Sequence, residues 1–311
     1  MTSTSALAPL LQALRSLNPT PPADSRRLFH GRGRCFEGLA FVTLDWFAPV
    51  VSMTLFEDPG EAWLSQCREA CVPLVAELSS VEALVVQHRY QHGAPSEVWY
   101  GELPERVLAE EAGLRFPLFH LGKAQNVGFF LDMRNTRQWL RERVEGRSVL
   151  NLFAYTCAFS VVAREAGASK VVNIDMSRPS LSLGRESHRA NEQSLDDIHF
   201  LGHDIFKSWG KLRRNGPYDV LIVDPPSRQY KSFVAEKDYP RLVKRLVSLS
   251  APGADILLCL NSPLLGYSFL EELMAEHCPE AHYHACLVPP FDFPESEPDR
   301  GLKILHYKLS L

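Results

Sequence analysis

The sequence predicts an α/β chain, in which a doubly wound, mostly parallel seven-stranded sheet ends in an antiparallel hairpin and is preceded by a small α+β domain. Three observations predict it. From residue 148 onward, short apolar strand-like runs alternate with helix-like segments, the pattern of a parallel sheet covered by helices. After residue 280 the alternation stops and two strand-like runs follow one another. Before residue 115, β-branched and aromatic runs surround a single helical stretch instead. The 311 residues, 45% hydrophobic and 23% charged, suit two globular domains of ordinary size.

Taken in order, residues 1–25 read as an N-terminal leader containing an amphipathic helix over 6–17, broken by Pro19, Pro21 and Pro22. The leader lacks a basic stretch followed by an apolar one, so a secretory signal is not expected. No run of 18 apolar residues occurs, so neither is a membrane span. Residues 26–115 form the small domain. Strands are expected over 41–45 and 50–56, then a helix capped by Asp58 with Pro59 and Glu61 in its first turn. Further strands are expected around 83–87, 98–102 and 114–121. Residues 116–311 form the larger domain. Its strands are expected over 148–152, 170–175, a short run into His203-Asp204, 219–224 and 255–260. Helices are expected up to Glu165, where Gly167 stops the chain, and over about 177–192. The runs 281–287 and 302–309, joined by the loop 289–300, make the closing hairpin.

Charge and cysteine usage narrow the chemistry. The net charge of −4 gives no global attraction for nucleic acid, so any such contact needs a local basic patch. Arg26, Arg27, His30, Arg32 and Arg34 form an acid-free cluster with glycines at 31 and 33, readable either as a flexible phosphate-binding patch or as a solvated loop. Lys207, Lys211, Arg213 and Arg214 read as a solvated helix end. The 7 cysteines are scattered without a CxxC pair, which argues against a disulfide framework and a structural zinc site and favours a reducing cytoplasm. His282-x-His284 lacks further ligands, so no metal is expected.

Ligands of such sheets bind at the carboxyl ends of the strands. After the first strand comes Asn151-Leu152-Phe153-Ala154-Tyr155-Thr156-Cys157-Ala158, whose small residues let backbone approach a ligand. Asp175 ends the second strand, as a ribose-diol acceptor or as a helix cap. Asp204 ends the third, as an acceptor for an adenine amino group or as another cap. Asp224-Pro225-Pro226-Ser227 ends the fourth. Two prolines make a stiff turn, which either holds the acid as a rigid acceptor for a substrate group or is a turn without function. A dinucleotide is the competing ligand, but residues 151–160 contain no glycine, against a pyrophosphate on that turn.

These segments resemble a known family. The stretch Gln125 to Arg137, reading QNVGFFLDMRNTR, resembles the GQKTGFFLDQRxNR segment of bacterial large-subunit ribosomal RNA methyltransferases, the RlmI/RlmK group. Residues 149–160 resemble their VLNLFAYTGGFS motif and 224–227 their DPPxF motif. The resemblance covers 115–311, with 26–115 similar to a diverged version of their smaller domain. It implies a class I methyltransferase (Rossmann-like) fold with S-adenosyl-L-methionine as cofactor. Residues 151–158, among them Asn151, Phe153, Ala154, Tyr155 and Thr156, would then hold the methionine part of the cofactor. Asp175 and Met176 would lie at its ribose, Asp204 and Ile205 beside its adenine, and Arg134 near its carboxylate or paired with Asp132. Asp224, Pro225, Pro226 and Ser227 would face the methyl group and the substrate.

The departures carry information too. Cys157-Ala158 replaces paired glycines, Asn126-Val127 replaces Lys-Thr, and Arg228 follows where an aromatic is usual. The PUA domain found ahead of some relatives is not expected within residues 1–25. Cytosine-C5 members of the group place a nucleophilic cysteine after the fifth strand. Here Ser262 stands there, and Cys259 falls inside the strand, so direct transfer to guanine N7 or an amino nitrogen is expected instead. A methyltransferase acting on a protein or small molecule, and a non-catalytic RNA-binding relative, are the other readings. Ribosomal or another structured RNA is the expected partner, and a homodimer is left open.

Overall fold

The structure, a computed structural model, describes residues 4–226, 228–229 and 233–310. It divides into two compact units, Met1–Leu131 with Phe291–Ser296, and Asp132–Pro290 with Glu297–Leu311. Residues 116–131, read from sequence with the larger domain, fall in the first unit.

The first unit opens with helix α1 (Thr4–Arg15). Its Leu7, Leu10, Leu11 and Leu14 recur at helical spacing and are all buried, so this part of the leader belongs to the core. Burying each leucine contributes roughly 1.5–3 kcal/mol relative to leaving it in water. Strands β1 (Arg26–His30), β2 (Val42–Phe47), β3 (Val50–Leu55), β4 (Ala83–His88) and β5 (Ser96–Gly101) form one sheet in that order. Only the β3–β4 pair is parallel, and its crossover is helix α2 (Glu61–Ala76). The expected cap at Asp58 is displaced. Gly60, at φ 80, is the N-cap, and Asp58 Oδ1 instead accepts the Gly60 N–H at 2.9 Å. A positive φ there prevents the helix from starting earlier. The face of α2 turned inward carries Cys67, Cys71 and Val75, one helical turn apart. A two-stranded hairpin follows, β6 (Leu108–Glu111) and β7 (Leu114–Pro117); its first strand was not legible in the sequence.

The second unit begins with α3 (Arg134–Arg141). Then β8 (Ser148–Leu152), α4 (Ala158–Glu165), β9 (Lys170–Ile174), α5 (Arg178–Ala190), β10 (Ile198–Leu201), α6 (Trp209–Asn215) and β11 (Tyr218–Val223) alternate as expected. The two-residue pair β12 (Arg228–Gln229) and β13 (Phe233–Val234) precedes α7 (Ala235–Leu246), β14 (Ser250–Asn261) and α8 (Tyr267–His277). The hairpin β15 (Ala281–Cys286) and β16 (Leu302–Leu309) closes the sheet. The strand order is β10-β9-β8-β11-β14-β16-β15, with β16 antiparallel to both of its neighbours, β14 and β15. Apolar residues cover both faces. Leu150, Val172 and Leu221 lie in one buried cluster, and Val149, Val171 and Ile222 in the other. That two-sided burial explains why these strands read as continuous apolar runs.

Candidate active site

The order of the strands reverses direction between β8 and β11, the switch point at which a doubly wound sheet opens a crevice at its carboxyl ends. Asp175, Asp204 and Asp224 each follow the last residues of β9, β10 and β11. Ser227 lies outside the described residues.

Asp175 is held by the backbone around it. Its Oδ2 accepts the Tyr155 N–H at 2.8 Å and its Oδ1 the Ser177 N–H at 2.7 Å. Ser177, not Asp175, caps α5, accepting from the Ser180 N–H. Each oxygen of an ionised carboxylate accepts about two hydrogen bonds, so a carboxylate oriented this way still has acceptor capacity for a vicinal diol. Met176 follows it with 59% of its surface exposed, an apolar side chain left open just past the end of β9.

The loop after β8 has an unusual backbone. Phe153, Tyr155 and Cys157 alternate at φ 59, 48 and 61, with Ala154 and Thr156 between them buried. Left-handed backbone costs a side-chain-bearing residue on the order of 1 kcal/mol, and such conformations gather at functional sites. Cys157 occupies the position of a family glycine, and its geometry shows why glycine suits it. Room for its thiol comes from α5, where a Cβ on Gly184 would lie 2.7 Å from the Cys157 Sγ and 3.1 Å from the Thr156 carbonyl oxygen.

Asn151 is placed differently from the expectation that it lines the ligand. It is 1% exposed and starts a buried chain of hydrogen bonds with a single direction. Asn151 Nδ2 donates to Asn173 Oδ1 at 3.0 Å, and Asn173 Nδ2 to Ser160 Oγ at 2.9 Å. The Ser160 hydroxyl donates to His188 Nε2 at 3.0 Å, His188 Nδ1 to Gln193 Oε1 at 2.6 Å, and Gln193 Nε2 to the Val161 carbonyl at 3.0 Å. The Gln193 side-chain carbonyl oxygen fixes a proton on Nδ1, and burial favours the neutral imidazole, whose Nε2 then accepts from Ser160. Burial pushes His188 down to about 4. The chain ties β8, β9, α4 and α5 together beneath the loop. A pair of asparagines at the same register of two apolar strands was the available signal.

Asp204 caps the short turn Ile205–Lys207, its Oδ1 accepting from the Phe206 N–H at 2.9 Å, with Lys207 Nζ 3.7 Å from Oδ2. The capping role read as the alternative is therefore present, and Ile205 is buried beneath it. Arg134 is the first residue of α3, half-buried.

Asp224 sits at the end of β11 with Pro225 buried after it. Burial of its carboxyl, with the negative charge of Asp132 adding to it, pushes Asp224 up to about 7. Asp132, which precedes α3, is thus a member of the site that the sequence suggested only as a partner for Arg134. Tyr239 braces the same strand ends, its hydroxyl 2.8 Å from the Cys259 carbonyl and 3.3 Å from that of Val223. The Cys259 thiol is fully buried, and burial together with Asp224 and Asp132 holds it well above its usual value. It is therefore not a thiolate. Ser262 is 5% exposed and its Oγ accepts the Leu264 N–H at 3.2 Å.

Comparison with known proteins shows the family and the fold. The family model described as S-adenosylmethionine-dependent methyltransferase matches residues 26–308. Ribosomal RNA large subunit methyltransferase I of Aeromonas hydrophila is 31% identical over 247 residues, covering 77% of this chain and 62% of that protein. The protein of the same name from Photobacterium profundum is 30% identical over 262 residues, covering 82% and 66%. The chain thus spans somewhat under two thirds of the first of these relatives. Among solved structures, a candidate SAM-dependent methyltransferase from Streptococcus mutans superposes with a TM-score of 0.84 over 99% of this chain and 82% of that one, at 24% identity. A SAM-dependent methyltransferase from Agrobacterium tumefaciens superposes at 0.68 over 93% and 90%, at 18% identity. At these identities the structures establish the shared fold, which is the class I Rossmann-like one.

Proposed function

The chain belongs to the S-adenosylmethionine-dependent methyltransferase family, and on that premise we propose that it methylates a base of large-subunit ribosomal RNA by direct transfer to guanine N7 or an amino nitrogen. The curated relatives bear the name of ribosomal RNA large subunit methyltransferase I, which supports the RNA substrate and the assignment to their group. The observation that carries the direct route is the full burial of the Cys259 thiol, which disfavours its thiolate, with Ser262 beyond it. Addition to cytosine C6 would need a thiolate at that strand end.

The residues present fit the cofactor. Asp175 has acceptor capacity beyond its two backbone donors, which suits the ribose hydroxyls. Met176 offers an exposed apolar face and Asp204 an oriented acid for the adenine, with Ile205 beneath. The turn 153–156 and Arg134 would hold the methionine end. When bound, S-adenosylmethionine supplies an electrophilic methyl on a sulfonium. Asp224 then orients the accepting nitrogen, and on an amine it takes the hydrogen bond of the proton that leaves. Pro225 restricts the backbone of Asp224 and Pro226 stiffens the turn after it, so positioning supplies much of the rate. Asn151 acts at one remove, holding β8 against β9 through its buried amide.

The test is tritiated S-adenosylmethionine with deproteinised large-subunit RNA from a strain lacking the gene, followed by nucleoside digestion. Label on guanine N7 or an amino nitrogen is expected. Label at cytosine C5 would overturn direct transfer, and label confined to protein would overturn the RNA substrate.

A further inference from the structure

The basic segment around residues 26–34 divides into two groups. Arg27 and His30 are committed inside the first unit. Arg27 Nε is 2.5 Å from Asp45 Oδ1, its Nη1 is 2.6 Å from His30 Nδ1, and its guanidinium lies 4.7 Å from the Phe293 ring centre. His30 Nε2 faces Glu295 at 3.3 Å. These groups are matched by acids and serve the fold.

Arg32 is different. It stands at the centre of the tight turn Gly31–Gly33, whose glycines are required by close packing. A Cβ on Gly31 would lie 1.8 Å from the Leu39 carbonyl oxygen, and one on Gly33 would lie 1.7 Å from that of Pro294. The Ser296 N–H also donates to the Gly33 carbonyl at 2.8 Å. The glycines therefore build a fixed turn, not the flexible loop expected from sequence. The guanidinium it displays lies 4.2 Å from the centre of the Phe56 ring. Arg89, one residue past β4, reaches the same ring at 5.5 Å, with Nη1 donating to the Gln125 carbonyl at 3.3 Å. Burial and the positive charges of Arg89 and Arg27 hold the Arg32 guanidinium below its usual value, offset in part by Glu295 and Glu57. Two guanidiniums gathered on one ring repel each other, and an anion between them relieves that repulsion.

We propose that Arg32 and Arg89, set on the ring of Phe56, form a clamp for one phosphodiester of an RNA strand. The proposal rests on the RNA reading above. Guanidiniums pair with phosphate oxygens through two parallel hydrogen bonds, and arginine beside an aromatic ring is a common surface for single-stranded nucleic acid. With a net charge of −4, the chain needs such a local site to hold RNA at all.

The test uses the full chain and two probes, a fluorescein-labelled single-stranded oligoribonucleotide of mixed sequence and a transcript of large-subunit ribosomal RNA. Anisotropy titrations at several salt concentrations give the affinity and its salt slope. Arg32→Gln with Arg89→Gln should weaken binding at least about tenfold at low salt and flatten the log–log slope by about 0.7, the value for one phosphate contact on a single strand. Arg89→Gln alone, which leaves the turn intact, should weaken it about threefold. Arg15→Gln with Arg106→Gln removes the same charge from exposed positions and should keep the wild-type slope. Unchanged S-adenosylmethionine affinity by calorimetry checks that every variant is folded. Wild-type affinity and slope in both arginine-to-glutamine variants of the clamp would overturn it while leaving the RNA reading standing. A wild-type chain that binds neither probe would overturn both.

Discussion

Asp224 is the residue on which the proposed chemistry turns. A carboxyl pushed up to about 7 is half-ionised near neutrality, so initial rates of methyl transfer should rise with pH through about 7 and level off above it. Asp224→Asn should lower turnover at least about a hundredfold and abolish that rise, leaving S-adenosylmethionine affinity within about threefold by calorimetry. Its folded-state value is raised, so its contribution to stability is full below the usual aspartate range near pH 4 and is lost as pH rises through about 7. Asp224→Asn should therefore melt no lower than the wild type at pH 8, which thermal unfolding at that pH checks. Asp175→Ala should weaken cofactor binding more than tenfold, whereas Cys259→Ser should retain methyl transfer. The three acids could be picked out in the sequence because each lies at or shortly after the end of a strand-like run. The influence of Asp132 on Asp224 could not, because it depends on where the fold places a distant segment, which no local pattern encodes.

At the scale of elements, the strained loop after β8 and helix α5 are made for one another through Cys157 and Gly184. Gly184→Ala should destabilise by about 1–3 kcal/mol, the usual consequence of overfilling a packed interior. Adding Cys157→Gly should recover most of that loss, because it removes the clashing thiol and suits φ 61. A double-mutant cycle in urea measures the coupling. The directed chain of amides and hydroxyls gives a second expectation. His188 is depressed to about 4, so its neutral form stabilises the fold above pH 6.5, and that stability is lost as pH falls towards 4. The loss amounts to up to about 3 kcal/mol. Urea unfolding across that window should show the decline, and His188→Gln should flatten it. The alternation of strand and helix was plain in the sequence because both faces of the sheet are buried. The start of α2 was not, because Asp58-Pro59 makes a good cap signal and the backbone of Gly60 overrides it. Strand β6 was missed as well, since Leu108-Ala109-Glu110-Glu111 carries neither β-branched nor aromatic residues.

At the scale of the whole molecule, each unit carries its own buried core, one built on α1, α2 and the five-stranded sheet, the other on both faces of the seven-stranded sheet. S-adenosylmethionine at a hundredfold excess over its Kd should stabilise the fold by about 2.7 kcal/mol. Hydrogen exchange should place the added protection at the loop after β8 and the ends of β9 and β11. The change in pattern along the chain suggested two domains. The return of Phe291–Ser296 to the first unit was not, because a loop between two strands carries no sign of which core it will join. That return ties the turn bearing Arg32 to the order of translation. Gly33 leaves the ribosome early, whereas Pro294 and Ser296, which pack on it, are made 261 and 263 codons later. At a synthesis rate of about 5–20 residues per second, that interval is on the order of 10–50 seconds. A nascent chain thus carries an unfinished Arg32 turn while residues 34–293 are made, and the turn is completed only after residues 132–290 of the second unit have been made.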